Sequence, residues 1–301
     1  MTAAEKQTLA AFLDTASDYL RDCRARDRPP FPFTDDLMRG GAPPLGRTPL
    51  LRKGMLRPTP PSGGEPPATP PGPLPPEVTG PLHDAAAAVE GCRACGLART
   101  RTRSVPGEGI VPPLVLVVGE APGAEEDASG RPFVGPAGCL LDDMLAAIGL
   151  SRLRNCFIAN VVKCRPPNNR LPTQDETAAC LPFLCRQIAA LRPRVILAAG
   201  RVAAHNLLGI EETMGRLRGT LYPYRLPPAF AGGAPSTEIP LIATYHPSAL
   251  LRDPGLKRPA FDDLKFLMAH LASLDPVYRA EAQPLINKYA AKDSRLAPLA
   301  E

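Results

Sequence analysis

"LVLVVGEAPGAEEDASGRPFVGPAG", residues 114–138, sets an unbroken apolar, β-branched run against a loop rich in glycine and proline, and a leucine-rich helical pattern follows. A short continuous apolar run bounded by turn residues is a strand buried on both faces, the kind found in parallel sheets covered by helices. Outward from it, "CFIANVV" (156–162), "RVILAAG" (194–200) and "PLIATYH" (240–246) repeat the strand pattern. Helical patterns over 137–149, 173–191, 201–209 and 259–274 alternate with them, the second opened by a capping box of Thr173 and Glu176. The expected fold is α/β, a three-layer sandwich with a central, mostly parallel four-stranded sheet flanked by helices. Ligands of such sheets bind beyond the carboxyl ends of the strands, and "GEAPGAEED", "NVVKCRPPNNR" and "HPSALLR" all fall there. Strand, glycine turn and helix is also the order of a dinucleotide site. That fingerprint needs G-x-G-x-x-G. Here Gly119 and Gly123 enclose Glu120, Ala121 and Pro122, and Glu125, Glu126 and Asp127 add carboxylates where a pyrophosphate would sit, which excludes it.

The remainder of the 301 residues is uneven. Between Pro43 and Pro81 there are 14 prolines in 39 positions, too few apolar groups to offset the entropy of ordering, so residues 29–81 are expected to form a disordered linker. Residues 1–28 place Leu9, Phe12, Leu13, Ala16, Tyr19, Leu20 and Cys23 on one helical stripe, suited to docking on a protein partner. The folded domain is expected over 82–275, with Phe261, Leu264, Leu267, Met268 and Leu271 as core, and a polar tail over 276–301. With neither a secretory leader pattern nor an apolar run of roughly 18 residues, a cytoplasmic protein without membrane contact is expected. Net charge of +5 suits an anionic partner.

Eight cysteines in a reducing compartment do not read as a disulfide framework. Cys23, Cys139, Cys156 and Cys185 sit among apolar residues and are assigned to packing. Cys92 and Cys95 form C-x2-C before the first strand, while Cys164 and Cys180 flank "RPPNNRLPTQDETAA". Four thiolates suit either zinc or an iron–sulfur cluster, although a zinc ribbon usually brings a second close pair.

Together, "GEAPGAEEDASGRPFVGPAG", "IANVVKCRPPNNRLPT", the four cysteines and "HPSALLRD" resemble the family-4 uracil-DNA glycosylases, the iron–sulfur branch of that superfamily, over residues 88–272. The resemblance implies a monomeric enzyme acting on uracil-containing DNA, with a [4Fe-4S] cluster on Cys92, Cys95, Cys164 and Cys180. It implies that Gly119 and Ala121 wall the base pocket, that Phe133 stacks on uracil, and that Asn160 reads its edge with one donor and one acceptor. It gives His246, supported by Ser248, the charge developing on the departing base, and Arg165, Arg252 and Lys257 the phosphates. Leu250 or Leu251 would fill the gap left by the flipped base. Many glycosylases of the superfamily carry an aspartate where Ala121 stands. Glu120 and Glu126 are therefore the expected partners of the attacking water. Two rivals share the fold: a uracil-DNA-binding protein without turnover, and a non-catalytic iron–sulfur accessory of a repair or polymerase complex. A related binding branch carries an extra basic loop with a histidine; the stretch from Arg165 to Thr173 is short and has none.

Overall fold

The computed structural model describes residues 76–231 and 238–300; the helix expected over 1–28 and most of the linker expected over 29–81 lie outside them. In chain order the elements are α1 (Pro76–Glu90), β1 (Glu108–Gly109), β2 (Val115–Gly119), α2 (Ala124–Ser129), α3 (Pro136–Ala146), β3 (Cys156–Asn160), α4 (Gln174–Leu191), β4 (Val195–Ala199), α5 (Arg201–Leu208), α6 (Met214–Leu217), β5 (Leu221–Arg225), β6 (Glu238–Thr244), α7 (Pro247–Arg252), α8 (Lys257–Leu274) and α9 (Pro276–Ala290). Helix α1 starts within the stretch read as linker. Proline is tolerated in a first helical turn, where the missing N–H has no intrahelical partner.

The sheet runs β1-β3-β2-β4-β6-β5. Its four inner strands are parallel, as expected, with Val117 level with Ile158 on one side and Leu197 on the other. Two antiparallel edge strands bring the total among the described residues to six, correcting the expected four. β1 spans two residues, too few to carry a pattern. β5, "LYPYR", buries only Tyr224 and contains Pro223, which a strand accepts at a sheet edge.

Alternation along the inner strands supplies both cores. Val115, Val117, Ile158 and Leu197 pack against Leu141 and Leu145 of α3 and Leu264 and Leu271 of α8. Leu116, Val118, Phe157 and Ile196 pack against Leu184 and Ile188 of α4 and Ala203 and Leu207 of α5. The capping box holds: Thr173 Oγ1 accepts from the Glu176 N–H, and Glu176 Oε2 from the Thr173 N–H at 2.8 Å. The polar tail expected from residue 276 is instead a second correction, because α9 packs on α8 and buries Tyr278, Ala282 and Ile286, with Leu296 beyond it. That stripe, one residue in four, is narrow enough to be hidden by the polar residues between.

Candidate active site

The chain leaving β2 crosses to β3 on one side, whereas the chain leaving β4 runs to β6 on the other. Their carboxyl ends therefore diverge, and a crevice opens where the direction switches. Here it is a cleft of about 710 Å³ lined by Glu120, Ala121, Phe133, Asn160, Arg201 and His246 among others.

Its inner end is built from β2 and β3. A Cβ on Gly119 would stand 2.4 Å from Asn160 Oδ1 and 2.5 Å from Phe133 Cζ, so only glycine leaves both side chains their places. Gly119 thus supports the cleft from beneath, while Ala121 lines it. Phe133 is held at a φ of 52°, a left-handed conformation that costs a bulky residue energy. Arg152, only 3% exposed, sustains it: its guanidinium donates to the carbonyls of Pro132 and Phe133, both at 2.8 Å, and is itself gripped by Asp142 and Glu108 at 2.9 Å. Asn160 is 1% exposed, and its Oδ1 has no hydrogen-bond partner among the described residues. A buried acceptor left without a donor is costly, and its place in the cleft wall marks it for a ligand's N–H.

The two carboxylates expected to serve a water separate in the structure. Glu126 Oε1 accepts from the N–H groups of Val134 and Gly135, both at 2.9 Å, and Oε2 from Gly123 at 3.0 Å. Fully engaged by backbone donors, it clamps the two ends of the loop together, which removes it from the candidates for proton transfer. Glu120 lines the cleft, and no hydrogen bond among the described residues engages its carboxylate. Burial pushes its carboxyl above the usual range, against the opposing pull of Arg201 and Arg252. Asp127 accepts from the Thr102 N–H at 2.9 Å, so it ties the preceding segment to α2.

On the opposite wall, His246 caps α7. Its Nδ1 lies 2.8 Å from Ser248 Oγ and accepts the Ser248 N–H at 3.2 Å. A backbone N–H can only donate, so Nδ1 presents a lone pair and the ring proton sits on Nε2. Burial first, then Arg252, pulls the imidazole down to about 4 against the opposing charge of Glu126, which keeps it neutral at pH 7. Ser248 therefore positions His246. Gly200, at φ 97°, gives the histidine its room, since a Cβ there would lie 2.8 Å from His246 Cβ. The His246 and Phe133 ring centroids are 5.5 Å apart.

Behind Asn160, Cys92, Cys95, Cys164 and Cys180 line one small cavity with Val89, Ala98, Val162 and Phe183. N–H groups point at three of the sulfurs: Ala94 N at Cys92 (3.4 Å), Arg101 Nη1 at Cys164 (3.0 Å) and Lys163 N at Cys180 (3.2 Å). Among the described residues no three His, Cys, Asp or Glu side chains converge tightly enough to hold a single metal ion. Four thiols lining one cavity, three of them facing N–H donors, form a donor set of the kind that holds an iron–sulfur cluster.

With this geometry in place, comparison with known proteins decides the family. The model of the uracil DNA glycosylase superfamily matches residues 106–265. The chain belongs to that superfamily. It is 45% identical over 180 residues to a type-4 uracil-DNA glycosylase of Pyrobaculum aerophilum, covering 58% of this chain and 87% of that protein. The type-4 enzymes of Archaeoglobus fulgidus (43%, covering 61% and 90%) and Thermotoga maritima (43%, covering 59% and 88%) are similar in the same way. Its place is in the type-4 branch.

Around the mouth of the glycosylase cleft stand Arg170, Arg201 and Arg252. Arg170 is forked onto both oxygens of Glu176 at 2.7 and 2.8 Å, and Arg252 Nη1 reaches Ser248 Oγ at 3.4 Å. Arg165, bonded to Asn169 Oδ1 at 2.8 Å, and Lys257, at the start of α8, do not line the cleft. Leu250 is buried and Leu251 is 47% exposed, which leaves Leu251 as the free leucine of the pair. Arg152, Lys163 and Arg201 are absent from the sequence reading. Arg201 had a signal: it follows the glycine at the carboxyl end of β4. Arg152 and Lys163 had none, because their partners, backbone carbonyls together with Asp142, Glu108 and Gln187, are brought in by the fold.

Proposed function

We propose that the protein is a monofunctional uracil-DNA glycosylase, which flips uracil out of DNA and hydrolyses its N-glycosidic bond at the start of base excision repair. The observation that carries this is the buried, unpartnered Oδ1 of Asn160 in the wall of a cleft that also holds Phe133 and the neutral His246. In the proposed complex Phe133 stacks on the base, Asn160 Oδ1 accepts from uracil N3–H, and its amide N–H donates to O4. Cytosine reverses that donor and acceptor pair and would leave buried groups unmatched. As the bond breaks, its electron pair moves to uracil N1 and negative charge spreads to O2, where the His246 Nε2–H stabilises it. Glu120 faces the cationic sugar and orients the water that adds to it. Arg170, Arg201 and Arg252, with Arg165 and Lys257 farther out, bind phosphates, and Leu251 fills the vacated stack.

Cys92, Cys95, Cys164 and Cys180 would hold a [4Fe-4S] cluster, which supplies a structural tie between the segment before β1 and the loop after β3. The enzyme is assigned to the cytoplasm as a monomer, and residues 1–81 to recruitment of a protein partner. Deleting residues 1–75 should leave excision in vitro unchanged and lower repair in cells; unchanged repair rejects the recruitment.

The test is DNA carrying one uracil, end-labelled, incubated with protein and then treated with alkali. Cleavage at uracil alone, impaired in Asn160→Ala and in His246→Ala, supports the reading; intact DNA with a full complement of iron favours the rival that binds without turnover.

A further inference from the structure

One buried cation is unused by this mechanism. Lys163 is 1% exposed, and its Nζ donates to the Asn160 carbonyl at 2.8 Å and to Gln187 Oε1 at 2.6 Å. Gln187 is fixed in turn, donating to the Pro106 carbonyl at 2.7 Å. Both acceptors of the ammonium are neutral. A buried lysine without a carboxylate is expensive, so its presence points to a role other than stability. Its backbone extends the same frame: the Lys163 N–H donates to Cys180 Sγ and the Lys163 carbonyl accepts from Val105 at 2.8 Å. Lys163 therefore touches three parts at once, namely the end of β3 that carries Asn160, helix α4 and the cysteine cavity.

We infer that Lys163 is a positioning residue for uracil recognition: by holding the Asn160 carbonyl it fixes the peptide from which the Asn160 amide projects, and it ties that peptide to the cysteine-bound frame. The inference rests on the reading of Asn160 given above. Asn160 ends its strand, and the following N–H groups of Val161 and Val162 bond back to the carbonyls of Gly119 and Glu120, both at 3.0 Å. The Asn160 carbonyl is held across the turn by the Lys163 ammonium. Without that donor the peptide is anchored only through its Val161 N–H, and an amide that must match N3–H and O4 together loses part of its aim.

Lys163→Met keeps length and removes the donor. The expected result is a loss of about tenfold in single-turnover uracil excision, the size of one net hydrogen bond, with affinity for undamaged duplex, iron content and melting temperature close to those of the unmodified protein. A loss under threefold overturns the inference. So does a larger loss matched by equal loss of undamaged-DNA affinity or of iron, since Lys163 would then only hold the fold. If Lys163→Met does not fold, Gln187→Leu, which removes the ammonium's other acceptor, is judged by the same measures. Asn160→Ala, run alongside, separates the two ideas: normal excision by it rejects the reading of Asn160, whereas impaired excision by it with normal excision by Lys163→Met rejects the role of Lys163 alone.

Discussion

The two walls of the cleft are held in different ways. On the β2–β3 side, the side chains are held by buried or half-buried hydrogen bonds: Arg152 on the carbonyls of Pro132 and Phe133, Glu126 on three backbone N–H groups, Lys163 on the Asn160 carbonyl. On the β4–β6 side, His246 leans on Ser248, and the charges around it, Arg201 and Arg252, are exposed. A rigid wall suits recognition of a flat base, where a small misplacement unpairs buried groups. In the proposed mechanism the other wall handles charge that appears only during reaction, and its properties should follow pH and salt.

This contrast predicts that damage to the two walls will look different. The largest effect is expected from Asn160→Ala, which deletes the unpartnered acceptor: excision should fall on the order of 10⁴-fold, with undamaged DNA bound as before. His246→Ala removes one donor to the developing anion and should lower the single-turnover rate by roughly 10²–10³ while leaving uracil-DNA affinity nearly intact. If His246→Ala weakened affinity as strongly as rate, the division between a reading wall and a working wall would fail.

A smaller pair of effects separates the two glutamates. Glu126→Gln places an amide N–H against backbone donors and should lower stability by about 1–3 kcal/mol, seen as a lower melting temperature, with a secondary loss of activity. Glu120→Gln should leave melting unchanged and lower the rate directly. Equal melting temperatures for the two variants would contradict the clamp.

These assignments also mark where sequence reading stops. The parallel strands were legible because apolar runs need cover on both faces, and the Thr173 cap because its chemistry is local. Asn160, Phe133 and His246 stood in motifs whose order carried the resemblance. The edge strand "LYPYR" was hidden by its proline and by having a single buried residue, and α9 by a one-in-four apolar stripe. Glu126 was legible as a site residue but not as a clamp, since its partners at Val134 and Gly135 are eight and nine positions on and present only backbone N–H groups. Arg152 and Lys163 escaped for a related reason: the carbonyls they hold have no residue type to read, and their side-chain partners, Asp142, Glu108 and Gln187, lie 10 to 44 positions away.

The mildest test concerns pH and exploits the exposed wall. With its proton on Nε2 and its ionisation pulled down to about 4, His246 should keep its function from neutrality to about pH 5 and contribute no inflection to kcat/KM in the ordinary imidazole range near 6.5. The acid limb should fall as pH drops through the region where His246 gains a proton on Nδ1, which would set it against the Ser248 N–H; Glu120, its carboxyl raised by burial, also loses its charge as the pH falls. Arg252 lowers both ionisations, because a nearby cation disfavours the imidazolium and favours the carboxylate. Arg252→Ala should therefore move the acid midpoint upward, toward neutrality, by a fraction of a unit, in addition to weakening DNA binding at every pH. A midpoint that stays fixed while affinity falls would mean that Arg252 serves the phosphates alone, and that burial by itself keeps His246 neutral.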